Sequence, residues 1–300
     1  MALRDYLVGE VTEDFADGLL TRRETLRRLS LLGISVSSAT ALLAACSNGG
    51  GEPIGAGEAS PTVQTTPSLG ATRSATPGQP VRFAGPAGEL QAAWATPDDP
   101  KGAVLVVHEN RGLTPHFYDL VGRFARDGYG ALCVDLLSAE GGTASLKDPA
   151  AAPATLANAP LERLLGDLRA GIDELEQRIS AAKVGSVGFC FGGGMVWNLL
   201  NAGEQRLAAA VPFYGPAPDN PDFSRTKAAV LAVYAELDSR VNASGDRAEA
   251  ALKAAGLTYE IRTFPGVDHA FFNDTGARYN EQAAQEAYSA VLAWFGQHLT

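Results

Sequence analysis

The pentapeptide Gly188-Phe189-Cys190-Phe191-Gly192 follows directly on the apolar run Val184 to Val187, and it restricts this chain more than any other segment. A strand that runs into a glycine-flanked nucleophile has the form of a sharp strand-to-helix turn, with the nucleophile strained and exposed at its tip. The glycines belong there because a Cβ in so tight a turn would strike neighbouring backbone. Serine is the usual tip residue; here it is cysteine. A buried thiol in a glycine-rich turn satisfies the same five residues, so the rest of the chain has to decide between the two.

From residue 81 onward the pattern is α/β. Ala103 to Val107 and Gly130 to Leu136 are short, continuously apolar runs, as in strands covered on both faces. Glu89 to Ala95 alternates like an edge strand of a hairpin. Val184 to Phe189, Leu207 to Tyr214, Ala228 to Tyr234 and Thr258 to Phe264 complete the strands. Helices are expected at Pro115 to Arg126, Leu161 to Ile179, Gly193 to Leu200, Ala243 to Ala255 and Glu281 to His298. In the second of these, Leu161, Leu164, Leu165, Leu168, Ile172, Leu175 and Ile179 fall on one face. Strands alternating with helices of this length build βαβ units, so the expected architecture is a mostly parallel central sheet with helices on both faces.

Sites in such sheets form at the carboxyl ends of the strands. Those ends are followed by His108-Glu109-Asn110, Asp135, Cys190, Tyr214-Gly215, Glu236-Leu237-Asp238 and Asp268-His269. A thiol attacks a carbonyl as thiolate and needs a base, and the base needs an acid to orient it. In the α/β-hydrolase architecture the chain order is nucleophile, acid, histidine. Cys190, Asp238 and His269 stand in that order, each after a strand. Asp268 adjoins His269 too closely to face it, and Asp246 lies within an expected helix. His108, His116 and His298 are placed as supporting or surface residues. The oxyanion formed in acyl transfer needs preorganised donors. These are assigned to the backbone N–H of Phe191 and, in the loop after the first buried strand, of Asn110.

With those residues in view, the domain resembles the dienelactone hydrolase family over residues 81–300. The matching segments are Val107-His108-Glu109-Asn110-Arg111-Gly112, Gly188-Phe189-Cys190-Phe191-Gly192-Gly193, Asp238, and Asp268-His269-Ala270-Phe271. The resemblance implies an α/β-hydrolase with a Cys-His-Asp triad that cleaves an ester or lactone without a cofactor. It also implies that Glu109 contacts the resting thiol and governs when thiolate forms; a carboxylate beside a thiol disfavours its ionisation. One feature departs from the family. Members acting on dienelactone hold the substrate carboxylate with arginines, one of them shortly after the histidine, whereas here Phe271-Phe272-Asn273-Asp274-Thr275 intervenes and no arginine follows until Arg278. Arg111 and Arg240 lie near the site in sequence. A neutral ester, lactone or thioester therefore suits the chain as well as dienelactone.

The first 80 residues read differently. Thr21-Arg22-Arg23-Glu24-Thr25-Leu26-Arg27 resembles a twin-arginine export signal. The modestly apolar stretch Leu29 to Leu43 follows, short for a membrane span. Leu43-Ala44-Ala45-Cys46 resembles a lipobox, with Cys46 the lipidated residue. An ordinary amphipathic N-terminal helix is the plainer alternative. Residues 47–80, rich in Gly, Ser, Thr and Pro, read as a flexible tether. The division is thus a signal segment at 1–46, a linker at 47–80 and a catalytic domain at 81–300, with the N-terminus outside the fold. The product is an exported, lipid-anchored monomer that touches the membrane only through its anchor.

A formal charge of −10 excludes nucleic acid as a partner, since phosphate binding needs clustered Lys and Arg. The glycines at 188–194 match neither dinucleotide nor P-loop spacing, and no His/Asp/Glu group has metal-ligand spacing. Of three cysteines, Cys133 lies in a buried strand and Cys46 in the lipobox, which leaves Cys190 unpaired. A second reading of the whole is a catalytically inactive binding lipoprotein on the same fold. A reactive thiol at Cys190 separates the two.

Overall fold

The computed structural model describes residues 3–47, 76–180 and 182–300. The linker expected at 47–80 lies almost wholly outside the described residues, and of Cys46 nothing beyond its backbone is described. Eight strands form one sheet: β1 (Gln79–Gly85), β2 (Gly88–Ala95), β3 (Ala103–Val107), β4 (Gly130–Val134), β5 (Val184–Phe189), β6 (Leu207–Phe213), β7 (Ala229–Ala235) and β8 (Tyr259–Phe264). Their order across the sheet is β1-β2-β4-β3-β5-β6-β7-β8. β1 and β2 form an antiparallel hairpin, β2 pairs antiparallel with β4, and every later pairing is parallel.

The helices are α1 (Leu3–Ala16), α2 (Arg22–Leu31), α3 (Val36–Ser47), α4 (Pro115–Arg126), α5 (Ala152–Asn158), α6 (Leu161–Arg178), α7 (Phe191–Asn201), α8 (Ser239–Asn242), α9 (Gly245–Ala254) and α10 (Glu281–His298). β3, β4, β5 and β7 are buried along their whole length, and β3, β4 and β7 accordingly read as unbroken apolar runs. α6 turns Leu164, Leu165, Leu168, Ile172 and Leu175 into the core, while Leu161, counted on the same face, is exposed at its start. β1 begins inside the stretch assigned to the linker. Its pairing with β2 through Gln79↔Trp94 moves the domain boundary back to residue 79.

The larger correction concerns residues 3–47. They form three helices packed on one another, and α1 also packs on α5. Tyr6, Leu7, Val11, Leu29 and Leu32 join the same hydrophobic core as the sheet. The segment placed outside the fold is therefore docked on the domain. The sequence reading missed α1 because its apolar and acidic residues serve a surface that exists only after the sheet has formed. No helix of the described residues is long and apolar enough to cross a membrane.

Candidate active site

The turn between β5 and α7 has the strained form anticipated for it. Cys190 sits at φ 57° and ψ −120°, a backbone conformation that non-glycine residues rarely adopt. The surrounding glycines are required by contact. A Cβ on Gly188 would lie 2.2 Å from the carbonyl oxygen of Gly192, and one on Gly192 would lie 2.3 Å from that of Val107. α7 is thereby seated against the end of β3, which brings Cys190 beside the loop that begins at His108. Phe191 is the first residue of α7, so its N–H has no intrahelical acceptor.

The loop after β7 supplies Asp238, and the turn after β8 supplies His269. Asp238 Oδ2 lies 2.5 Å from His269 Nδ1, and its Oδ1 accepts from the Val241 N–H at 3.1 Å. The acid is thus fixed by the first turn of α8, and Nδ1 of the imidazole carries the proton. Both side chains are buried. Burial alone would raise the Asp238 carboxyl, but the hydrogen bond and charge of His269 bring it below its ordinary value. His269 Nε2 points to the other side, within 4.8 Å of Cys190 Sγ. Burial lowers the imidazole, and Glu10, the Cys190 sulfur and Asp238 outweigh it, so His269 is held well above its ordinary pKa. Ala270, directly after it, has φ 62°, part of the turn that presents the ring.

Two residues absent from the sequence reading complete the site, and both come from α1. The Tyr6 hydroxyl donates to Cys190 Sγ at 3.3 Å, and Sγ donates to Glu10 Oε2 at 3.3 Å. Glu10 Oε1 lies 3.2 Å from His269 Nε2 and also pairs with Arg240, whose guanidinium stacks 4.7 Å from the centre of the Tyr6 ring. Asn110 meets the same carboxylate, its Nδ2 donating to Oε2 at 3.3 Å. Burial pushes the Cys190 thiol up, Glu10 adds to this, and His269 opposes it; the result is about 11. Among the described residues, Glu10, Cys190 and His269 offer donor atoms within 4.8 Å of one another. Spacing could not disclose such a group. The Arg240 charge against Glu10 disfavours a cation there.

Glu109, expected to restrain the thiol directly, is buried near it but bonded elsewhere. Its Oε2 accepts from Asn273 Nδ2 at 2.7 Å, and burial raises its carboxyl. Its negative charge still adds to the rise at Cys190. Asn273 therefore occupies the segment where an arginine was sought. Among the described residues the carboxylate on the sulfur is Glu10. Arg278 lies against α1, bonding Asp14 at 2.9 Å and Asp17 at 2.5 Å.

His108 is structural: its Nε2 accepts from the Leu136 N–H at 3.0 Å, which leaves Nδ1 to donate to the Glu109 carbonyl at 2.7 Å. His116 pairs with Asp274 at 2.9 Å, and Asp135 accepts from Leu137 and Thr143 to shape its loop. A cavity of about 250 Å³ adjoins the elbow, lined by Leu3, Tyr6, Phe191, Met195, Pro216 and Ala217. From the elbow itself, Phe191 lines it. Phe213 and Phe272 instead cluster around Phe189, with ring centres 4.8 and 4.9 Å away, and Trp197 stacks on Phe223.

A mostly parallel eight-stranded sheet, with a strained cysteine at a strand-to-helix turn, places the protein in the α/β-hydrolase class. A family model described as the dienelactone hydrolase family matches residues 90–299, and the chain belongs to that family. A protein of Saccharolobus solfataricus named "Putative carboxymethylenebutenolidase" is 30% identical over 241 residues, covering 69% of this chain and 93% of its own. One of the same name from Methylorubrum extorquens is 30% identical over 227 residues, covering 70% and 78%. A crystal structure of a "Putative Dienelactone Hydrolase" from Klebsiella pneumoniae superposes with a TM-score of 0.65 at 28% identity, covering 74% of this chain and 98% of the other. The chain is a hydrolase of this family.

Proposed function

We propose that the protein hydrolyses a carboxylic ester or lactone through Cys190, His269 and Asp238, by way of an acyl-enzyme. The observation that carries this reading is the convergence, from three separate strand ends, of a strained thiol, an imidazole and a buried carboxylate bonded to Nδ1. In the proposed reaction His269 Nε2 takes the thiol proton while Sγ attacks the carbonyl carbon. Charge builds on the carbonyl oxygen, for which the N–H groups of Phe191 and Asn110 are the donors. The intermediate collapses with loss of the alcohol oxygen, which receives the proton from His269. Water, deprotonated by the same imidazole, then cleaves the thioester and regenerates the thiol. Asp238 stays ionised throughout and stabilises the imidazolium. No step calls for a cofactor.

A substrate bearing a small apolar group suits the cavity beside Phe191 and Met195. The lipobox and arginine pair support export and anchoring at Cys46 for the same protein. Cys190→Ala tests the reading: hydrolysis of p-nitrophenyl acetate should fall at least ~10³-fold with the circular dichroism spectrum unchanged. Turnover at the parent rate would remove Cys190 from the mechanism. The contacts of Tyr6 and Glu10 with the thiol also favour a second reading, an inactive binder. Failure of iodoacetamide to label Cys190 in any form of the chain would select it.

A further inference from the structure

The stripe of α1 that faces the site has a regular spacing. Tyr6, Glu10 and Glu13 with Asp14 recur at helical intervals along one side, and Asp17 follows just beyond the last turn. Each meets a partner on the domain: Tyr6 and Glu10 meet Cys190, Glu13 meets Arg240 at 2.9 Å, and Asp14 and Asp17 meet Arg278. Gly9 lies against Arg240, where a Cβ would be 2.8 Å from its Cδ. Among the described residues, Glu10 alone touches the sulfur, the imidazole and the side chain of Asn110. Its carboxylate thereby fills the space that an ester carbonyl must enter to meet nucleophile, base and oxyanion donors together. With α1 docked, Cys190 and His269 are 3% and 2% exposed. The wall that Leu3 and Tyr6 form on the neighbouring cavity is part of the same helix.

We propose that α1 is a built-in inhibitor of the site, and that cutting the chain between α1 and β1 converts a latent precursor into the working hydrolase. The inference rests on the assignment of Cys190 as nucleophile. The lipobox locates the cut in the peptide bond between Ala45 and Cys46. A signal peptidase would hydrolyse that amide: water supplies hydroxyl to the Ala45 carbonyl carbon and a proton to the Cys46 nitrogen. All of α1, α2 and the greater part of α3 then lie on the released piece. Once they dissociate, the sulfur loses Tyr6 and Glu10, His269 keeps Asp238, and Arg240 and Arg278 are freed at the mouth. The arrangement would hold an esterase at a reduced rate until its leader has been removed.

The test uses the full chain carrying a site-specific protease sequence inserted between residues 48 and 75. Iodoacetamide labelling of Cys190, assigned by peptide mass, and p-nitrophenyl acetate hydrolysis are followed before and after cleavage. A full-chain Tyr6→Ala, Glu10→Ala double variant is run alongside, in case the cut piece stays bound. The proposal expects both rates to rise at least ~10-fold in the cleaved chain or in the double variant. Addition of a peptide of residues 1–20 should reverse the rise, and the same peptide with Glu10→Ala should not. Labelling that rises without any hydrolysis upholds the inhibitor and overturns the hydrolase reading. Labelling and hydrolysis that stay level or fall, in both cleaved chain and double variant, overturn the inhibitor and make α1 a lasting part of the site.

Discussion

Cys190 shows at a single position how chemistry follows from backbone. Its positive φ costs about 1–3 kcal/mol, held in place by the packing of β5 and α7 around it. The thiol that this strain exposes is then masked by two side chains. With its pKa pushed up to about 11 by burial and by Glu10, Cys190 is almost wholly protonated near neutrality. The groups facing it are Tyr6 and Glu10 from α1, His269 from the turn after β8, and Glu109 from the loop after β3. Its iodoacetamide labelling in the intact chain should climb about tenfold per pH unit from 7 toward 10. Glu10→Gln removes a like charge, so the climb should level off at lower pH; a profile that stays put would assign the shift to burial alone. Asp238→Asn should leave the fold intact and lower kcat ~10³- to 10⁴-fold, because Nδ1 loses the acceptor that fixes its proton.

Among the elements, α7 depends most on the absence of side chains. Gly192 and Gly193 bring its first turn against the carbonyls of Val107 and Phe213, where a Cβ would come within 2.3 Å of either oxygen. Backbone cannot yield there as the tip of a long side chain can. Gly192→Ala should therefore lower stability by about 1–3 kcal/mol in urea titration, and it should reduce activity further by displacing the elbow. Gly9 in α1 behaves in the opposite sense for an isolated helix, where alanine would add helix propensity. In the folded chain its replacement by leucine should loosen the helix from Arg240 and raise thiol labelling. The strands needed no such contact information. Continuous apolar runs at β3 and β4 announced strands buried on both faces, because a sheet covered on both sides has no polar face to show.

At the scale of the molecule, Tyr6 and Glu10 reach Cys190 across 184 and 180 residues of sequence. Two arginines that look isolated in the sequence, Arg240 and Arg278, are the anchors of this contact. If Cys46 carries the anchor, protein expressed with its leader should be found in the membrane fraction, and Cys46→Ala should move it to the soluble fraction. Equal partitioning of the two would leave the lipobox without a role.

The strands, the helices that alternate with them, and the order Cys190, Asp238, His269 were legible in the sequence. Each depends on local pattern: apolar runs, helical spacing, and glycines that a tight turn demands. β1 was missed because a two-stranded hairpin at a sheet edge leaves a weak alternation. Glu109 was assigned to the sulfur through the family resemblance, since sequence does not say which oxygen the distant Asn273 will claim. The docking of α1 belongs wholly to tertiary structure. An acidic helix with a tyrosine has no visible purpose until folding assembles a thiol, an imidazole and two arginines from three distant connections, those after β5, β7 and β8. The elbow and its partners were determined by the chain itself; what stands in front of them was decided by packing.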